Sequence, residues 1–332
     1  MQSSETTMKR FLTSFSAALF AAAALLAAPA ASASDYPTRP INLIVPYPPG
    51  GPNDVIARTL GPEMSQMLGK PMVIENRPGA GGNTATGYVA KSPADGYTVL
   101  LPGIPFAVNP FIFDKVPYAI SDFKPIAIVA QGPLVLVVHP STGIKSTAEL
   151  IAAAKAKPGS IAYASGGTGT SLHLAGELFK RSAGIDMLHV PYKGTGELMA
   201  DLLAGRTSVA FVSPLIVRQH VESGKLTALG VTSLKPLRGM EQVPTVAQSG
   251  PLPGFEAYGW YGLLVPAGTP NDVVDKLSAA TAQALKSSAV QDKLFSLGLD
   301  IVFTTPAEAD AYIKAEMAKW SKLVKEANIK VD

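Results

Sequence analysis

The chain contains no cysteine and only four histidines among its 332 residues. The lack of thiols excludes disulfide bonds, thiol nucleophiles, zinc–thiolate sites and a lipid-modified cysteine. Four histidines are too few to predict a histidine metal centre, so we expect neither a metal site nor a cofactor. The 28 Lys and Arg residues barely exceed the 25 Asp and Glu residues, and the formal net charge is +3. Because the basic residues are scattered, the charge does not predict nucleic-acid binding.

Recognisable catalytic motifs are missing as well. Neither a G-x-S-x-G nucleophile elbow nor a P-loop occurs. Ser171 and His173 stand two positions apart, a spacing that points their side chains away from each other on a helix. The glycine-rich stretch at residues 79–83 lacks G-x-G-x-x-G spacing. We therefore predict no catalytic residues and no enzymatic activity, with an α/β hydrolase or lyase of unrecognised type as the alternative.

The N-terminus has the pattern of a cleavable secretory signal peptide. Lys9 and Arg10 precede an apolar run at residues 11–28, and Ala31-Ser32-Ala33 follows as an A-x-A cleavage site. A membrane anchor is the alternative, because the run has roughly the right length, but no charged stop follows it. We expect residues 1–33 to be removed and the mature protein to be exported in soluble form.

The stretch at residues 41–54 sets the pattern of the mature chain. An apolar, β-branched run at 41–45 ends in a Pro/Gly cluster, and amphipathic helical spacing follows from Val55. Asn53 or Asp54 is the predicted N-cap. Such a strand–turn–helix unit aims free N–H groups and the positive end of a helix dipole at one point, which suits an anion. An ordinary βα connection without a ligand is the alternative.

The same order of strand, small turn and helix recurs along the chain, with turns at residues 79–84, 165–171, 191–195 and 212–214. This alternation predicts the α/β class, with helices covering the sheets. Two series of units, separated by apolar stretches at 134–138 and 260–265, predict two lobes. Lobe 1 comprises residues 34–136 plus 260–332, and lobe 2 comprises residues 137–259. Because ligands collect at the carboxyl ends of strands in such lobes, we expect turns from both lobes to enclose a small carboxylate.

Five motifs, in this order, resemble those of the Bug-type receptors, the periplasmic binding components of tripartite tricarboxylate transporters. They are VPYPPGG at residues 45–51, ENRPGAGGN at 75–83, DGYT at 95–98, VPYKG at 190–194 and VPTV at 243–246. The resemblance covers nearly the whole mature chain. It implies a periplasmic-binding-protein fold, in which two α/β lobes are joined by two crossing strands with the ligand cleft between them.

The resemblance also implies a periplasmic function. The protein would capture a carboxylate by hinge closure and deliver it to a membrane permease of one large and one small subunit. We expect a monomer. A sensor that reports ligand occupancy to a membrane signalling partner has the same fold and stays an alternative.

By the resemblance, the first-lobe turn at residues 47–51 and the second-lobe turn at residues 166–171 hold the ligand carboxylates through backbone N–H and hydroxyl groups. For His173 a packed side chain is the alternative, and for Lys193 a solvated one. The predicted ligand-binding residues are Tyr47, Pro48, Gly50, Gly51, Asn83, Phe106, Gly167, Thr168, Gly169, Thr170, Ser171, His173, Tyr192, Val212 and Ser213.

The sequence departs from the family pattern at two places. A loop is predicted after the strand that ends at residue 102, and its residues 102–107 are more apolar than the Ser/Thr/His-rich version expected from the family. Val212 and Ser213 stand where many family members carry an Asp or Asn pair. Without an acid there, an α-ammonium group lacks a partner, which disfavours amino-acid ligands. An apolar wall from Phe106 and Val212 would favour an aromatic or medium-chain dicarboxylate, such as a phthalate-type acid. The alternative is that both side chains merely pack in the core.

Overall fold

The computed structural model describes residues 35–331, and the predicted signal peptide lies outside the described residues. Within the described part, no helix is long and apolar enough to cross a bilayer. The strands are β1 Ile41–Val45, β2 Met72–Asn76, β3 Thr98–Leu100, β4 Phe123–Pro133, β5 Val135–Val138, β6 Ala162–Ser165, β7 Leu188–Pro191, β8 Val209–Val212, β9 Thr227–Val231, β10 Tyr258–Pro266 and β11 Asp300–Ile301. The helices are α1 Pro52–Leu68, α2 Asn83–Ala90, α3 Ile104–Ile112, α4 Thr147–Ala156, α5 Ser171–Ala183, α6 Thr195–Leu203, α7 Pro214–Glu222, α8 Val246–Ser249, α9 Asn271–Ala284, α10 Ser288–Ser296 and α11 Pro306–Glu326.

The strands form two mixed sheets. The first has six strands in the order β11-β4-β10-β3-β1-β2, and the second has five in the order β7-β6-β8-β5-β9. The chain passes from the first sheet to the second between Pro133 and Val135 and returns between Val231 and Tyr258. The predicted lobe boundaries, 136/137 and 259/260, lie inside β5 and β10, close to these crossings, and stay a prediction.

Parallel pairing brings the ends of several strands to a common edge. In the first sheet β1 is parallel to β2 and β3, and in the second sheet β6 is parallel to β7 and β8. A helix follows each of these strands at its carboxyl end. The amino termini of these helices therefore gather at one edge of each sheet.

Helix α3 occupies residues that the sequence predicted as a loop. Pro105 lies in the first helical turn, where an absent N–H is tolerated. Pro110, farther along, leaves the carbonyl of Phe106 without its helical donor, and the Tyr118 hydroxyl donates to that carbonyl at 3.2 Å. The loop prediction was wrong because this compensating bond comes from a distant part of the chain.

Helix α5 belongs to the second sheet but also packs against the first. Most of its buried face, including Phe179, joins the apolar cluster on one side of the second sheet. Leu174, one turn away, joins the cluster of the first sheet that contains Trp260 and Trp320. Arg181 of α5 forms a 2.7 Å ion pair with Glu326 of α11. Helix α5 as a whole is therefore positioned by the apolar clusters of both sheets and by the ion pair to α11.

Candidate functional site

A cavity of about 650 Å³ lies between the two sheets at these strand ends. Residues from the amino-terminal ends of five helices line it. They are Gly51 and Asn53 of α1, Gly103 and Ile104 of α3, Thr170 and Ser171 of α5, Gly194 and Thr195 of α6, and Ser213 and Leu215 of α7, counting residues that immediately precede each helix. The first N–H groups of a helix have no intrahelical acceptor, so the cavity wall is rich in backbone donors and positive dipole ends.

The turn at residues 46–51, which we call the lobe 1 turn, connects β1 to α1. Gly51 is the N-cap of α1, so the predicted caps Asn53 and Asp54 lie inside the first helical turn. Asp54 Oδ2 accepts a hydrogen bond from Gly50 N–H at 2.9 Å, and both carboxylate oxygens lie 3.0 Å from Arg58 Nε. Asn53 Nδ2 donates to Leu101 O at 3.0 Å. These bonds fix the turn, and they also occupy the Gly50 N–H.

The Asp54 carboxyl is nearly buried. Burial alone would raise its pKa, but hydrogen bonds from Arg58, Gly50 and Asn76 outweigh that effect, and the pKa lies below its ordinary value. The carboxylate form is therefore the one that holds the lobe 1 turn.

The turn at residues 165–171, which we call the lobe 2 turn, connects β6 to α5. Thr170 is the N-cap, and its hydroxyl accepts from His173 N–H at 3.4 Å and donates to Gly167 O at 2.7 Å. His173 is 3% exposed, and its Nδ1 accepts from Gly169 N–H at 3.1 Å. The histidine thus lies beneath the turn, outside the cavity lining.

Two tyrosines lie in the cavity floor. Tyr47 and Tyr261 both line the cavity, and none of the described residues hydrogen-bonds to either hydroxyl. Burial raises the pKa of both phenols well above the ordinary value, so both stay protonated donors. A Cβ at Gly259 would lie 3.8 Å from Ser171 Oγ and 3.8 Å from Tyr261 Oη. The absence of a side chain at Gly259 keeps the space between these hydroxyls open.

The structure brings about half of the predicted ligand-binding residues to the cavity wall. Those in the lining are Tyr47, Pro48, Gly50, Gly51, Thr170, Ser171 and Ser213. Those outside it are Asn83, Phe106, Gly167, Thr168, Gly169, His173, Tyr192 and Val212. Asn83 Oδ1 accepts from Asn109 Nδ2 at 2.8 Å, and the Tyr192 hydroxyl donates to Asp201 at 2.8 Å. Both side chains are therefore engaged with the protein.

Phe106 and Val212, the expected apolar wall, are packed in the core. Phe106 is 3% exposed and contacts Tyr118 and Phe123, with ring centroids 5.8 and 5.2 Å away. Val212 is fully buried in β8, opposite Val135. The apolar part of the cavity comes from other residues, which are Ile104, Leu134, Leu172, Met199, Leu215, Ile216, Trp260 and Leu299.

The predicted ligand-binding residues did not include Tyr261, nor Gly194 and Thr195 at the amino terminus of α6, although the turn at residues 191–195 was predicted. Tyr261 belongs to Gly259-Trp260-Tyr261-Gly262 in β10, which follows directly on the return crossing between the sheets. The sequence signal for this part of the site was the pair of glycines that flanks two aromatic residues in a predicted crossing strand. Among the described residues that line the cavity, Lys193 is the only charged one. Within residues 35–331, no three His, Asp or Glu side chains cluster as metal ligands.

Comparison with known proteins gives one consistent result. The chain is 39% identical to the protein BugT of Bordetella pertussis over 316 residues, 94% of this chain and 96% of BugT. The structure of the periplasmic binding protein BugD superimposes with a TM-score of 0.79 at 34% identity, over 89% of this chain and 99% of BugD. The fold is thus a periplasmic-binding-protein fold.

Two further solved structures contain ligands. Rpa4515 of R. palustris with adipate matches with a TM-score of 0.82 at 34% identity, over 89% of this chain and 99% of Rpa4515. MatC of Rhodopseudomonas palustris with bound malate matches with a TM-score of 0.78 at 29% identity, over 87% and 100% of the two chains. The model of the tripartite tricarboxylate transporter family receptor, TctC, matches residues 56–329. The chain therefore belongs to the tripartite tricarboxylate transporter receptor family, a family of solute-binding receptors.

Proposed function

We propose that this protein is a periplasmic receptor that captures a medium-chain dicarboxylate in the cavity between its two sheets. The observation that carries the proposal is the convergence of five helix amino termini on a cavity whose described lining contains no acidic residue. Each terminus contributes about 0.3–1 kcal/mol to anion binding when exposed and up to about 2 kcal/mol when partly buried. Micromolar binding requires about 8 kcal/mol, which five termini reach only when partly buried, at up to about 2 kcal/mol each, or with the help of hydroxyl donors.

The lining also favours a particular ligand shape. Apolar side chains such as Leu172, Met199 and Trp260 line the same cavity as the polar turns. An aliphatic or aromatic body fits that part, while the carboxylates reach the donors at either end. The adipate-bound and malate-bound relatives support a diacid. A ligand with an α-ammonium group is disfavoured, because the described lining offers it no carboxylate partner.

Capture by hinge closure and delivery to a permease complete the proposal. A cavity of about 650 Å³ is larger than a small diacid, so the sheets must approach each other for both walls to contact it. Family membership supports a permease of one large and one small subunit as the partner, and a cleaved signal peptide as the route to the periplasm. We propose that the receptor acts as a monomer and without catalysis.

A thermal-shift panel on the mature protein tests the proposal. The compounds are adipate, malate, phthalate, citrate and aspartate, with monomethyl adipate as the matched compound that lacks one charge. At one hundred times Kd a ligand adds about 2.7 kcal/mol of stability. We expect adipate or phthalate to raise the Tm by several degrees. Absence of a shift with every carboxylate would contradict the proposal, and tight binding of citrate or aspartate alone would contradict the ligand class.

A further inference from the structure

Two histidines outside the cavity lining are stacked beneath the lobe 2 turn. The ring of His173 in α5 lies 4.0 Å, centroid to centroid, from the ring of His189 in β7, with an angle of 24° between them. Tyr163 of β6 extends the stack, 5.0 Å from His189. His173 is almost fully buried, and His189 is half-buried. Neither imidazole lines the cavity.

Both histidines are hydrogen-bonded to the turn itself. His173 Nδ1 accepts from Gly169 N–H at 3.1 Å. His189 Nε2 and Ser165 Oγ lie 2.7 Å apart and share a hydrogen bond, and Ser165 Oγ in turn accepts from Gly167 N–H at 3.1 Å. The two glycine amides that shape the turn are thus held by one imidazole directly and by the other through a hydroxyl. This arrangement requires an unprotonated Nδ1 on His173.

The surroundings of the pair favour neutral rings. The charged groups nearby are Glu177, Lys180 and Asp186. Glu177 accepts from the Tyr163 hydroxyl and lies 3.0 Å from Lys180 Nζ, and Asp186 lies 3.8 Å from the same ammonium. The acids are thereby engaged with Lys180. Burial is the largest cause that lowers the pKa of His173 to about 3, and the charges of His189 and Lys180 lower it further. Burial, followed by Lys180, lowers the pKa of His189 to about 4.

Protonation would break this arrangement in two ways. A cationic His173 carries a proton on Nδ1, which then faces the Gly169 N–H, donor against donor. Two cationic rings whose centroids are 4.0 Å apart would also repel each other in a site shielded from water. Gly169 N–H would lose its acceptor directly. A cationic His189 can still donate from Nε2 to Ser165 Oγ, so the support of Gly167 N–H would be weakened only by the repulsion that pushes the two rings apart.

We infer that His173 and His189 are positioning residues, which hold the lobe 2 turn in its ligand-binding conformation as a neutral stacked pair and release it when protonated. The inference rests on the proposed function for its effect on solute capture. It predicts that the receptor binds its solute more weakly in acid because the lobe 2 turn is released. Protonation of the solute itself adds to this loss.

The first test follows the turn without any ligand. In the intact mature protein, the amide signals of Gly167 and Gly169 in NMR spectra are recorded between pH 7 and pH 3.5 with the imidazole signals of both histidines. We expect the amide signals to move with the imidazole titrations. Amide signals that stay unchanged while either imidazole titrates would overturn the inference. This measurement decides the inference even if no carboxylate binds, in which case only the proposed function fails.

The second test measures the affinity for adipate at pH 7 and pH 4.5. The double variant His173→Asn, His189→Gln keeps hydrogen-bonding groups at matching positions but cannot become cationic. We expect it to lose less affinity between pH 7 and pH 4.5 than the unchanged protein does, since one pH unit of coupled titration corresponds to about tenfold. Ligand protonation is common to both proteins and cancels in the comparison.

Two single variants complete the design. His173→Leu removes the acceptor for Gly169 N–H, and we expect about tenfold weaker binding already at pH 7. His220→Gln, at the C-terminal end of α7, is the matched control and should keep the full acid response. An equal acid response in the double variant and the unchanged protein would overturn the inference.

Discussion

The lobe 1 turn and the lobe 2 turn both precede a helix amino terminus at the cavity, but different chemical groups hold them. A carboxylate, Asp54, anchors the lobe 1 turn through Gly50 N–H and is itself paired with Arg58. Neutral imidazoles anchor the lobe 2 turn through Gly169 N–H and Ser165. The anchoring side chains are equally buried, since Asp54 and His173 are each 3% exposed, but the Arg58 side chain that pairs with Asp54 is 54% exposed.

The difference shows how one geometrical task can be met in two electrostatic environments. At the lobe 1 turn the charged form of the anchor is stabilised, because an arginine and backbone donors surround the carboxylate. At the lobe 2 turn the neutral form is stabilised, because the rings are buried beside a lysine. Acid therefore destabilises the two turns in different pH ranges. Substitutions that add a side chain to each turn should also change the free energy of unfolding by different amounts.

The largest expected effect separates the turns by packing. Gly50 and Gly169 both have positive φ, +86° and +80°, where an L side chain is strained. A Cβ at Gly169 would also clash with Ile112 Cδ1, whereas a Cβ at Gly50 would have no neighbouring atom within 4 Å. We expect Gly169→Ala to lower the free energy of unfolding by about 3 kcal/mol and Gly50→Ala by about 1 kcal/mol. Urea unfolding of both variants measures the difference, and equal losses would contradict the packing explanation.

The second prediction separates the turns by acid. His173 and His189 have folded pKa values of about 3 and about 4, below the ordinary value of about 6.5. Their stabilising contribution is complete above about pH 6.5 and is lost as the pH falls toward the folded values. Asp54 has a lowered pKa, so its contribution is present above the ordinary value of about 3.9 and is lost only below it.

Denaturant unfolding at pH 7, 4.5 and 3 tests this order. Between pH 7 and 4.5 we expect the variant His173→Asn, His189→Gln to lose less stability than the unchanged protein, by up to about 2.7 kcal/mol for each imidazole, because pH 4.5 lies about two units below the ordinary pKa. Asp54→Asn should differ in slope only below about pH 4. A change of slope for Asp54→Asn between pH 7 and 4.5 would mean that the carboxylate titrates in the range assigned to the imidazoles.

The strand–turn–helix units and the two-lobed α/β fold could be predicted because they depend on local patterns. Apolar runs such as residues 41–45 end at Pro/Gly clusters, and helical spacing follows each cluster. The direction of individual side chains could not be predicted in the same way. Phe106 was placed in a loop facing the ligand, but Tyr118 completes a helix there and Phe106 points into the core.

The candidate site shows the same limit. The sequence identified the turns that face the cavity, because glycine and proline mark them. The groups that hold each turn come from elsewhere in the chain, such as His189 beneath Ser165 or Asn76 donating to Tyr47 O. Asp54 was predicted as a possible N-cap, yet it lies in the first turn and accepts from Gly50 N–H. Sequence spacing alone does not distinguish these two roles for an acid at a helix start.

The third prediction concerns Lys193, which is the charged residue among the described residues that line the cavity. Lys193 precedes α6, and none of the described residues forms an ion pair or hydrogen bond with its Nζ. We expect Lys193→Met to weaken adipate binding about two- to fivefold at low salt, since an exposed ion pair contributes about 0.2–1 kcal/mol. Titration calorimetry at low and high salt should show the difference shrinking with salt. Lys225→Met, at an exposed position outside the cavity, is the control, and an equal effect there would assign the loss to net charge.

The fourth prediction concerns the support behind the lobe 1 turn. Arg58 and Lys314 each pair with an acid four residues earlier on a helix, at 3.0 and 2.6 Å. Asp54 is nearly buried and anchors Gly50, whereas Asp310, the partner of Lys314, is 47% exposed and contacts no turn. We expect Arg58→Ala to cost about 1 kcal/mol of unfolding free energy and Lys314→Ala no more than about 0.5 kcal/mol. Urea unfolding measures both, and adipate affinity should fall only for Arg58→Ala. If both variants lose the same small amount and bind equally, then the Asp54 carboxylate holds the turn without its arginine, and the lobe 1 anchor is as self-sufficient as the imidazole pair of the lobe 2 turn.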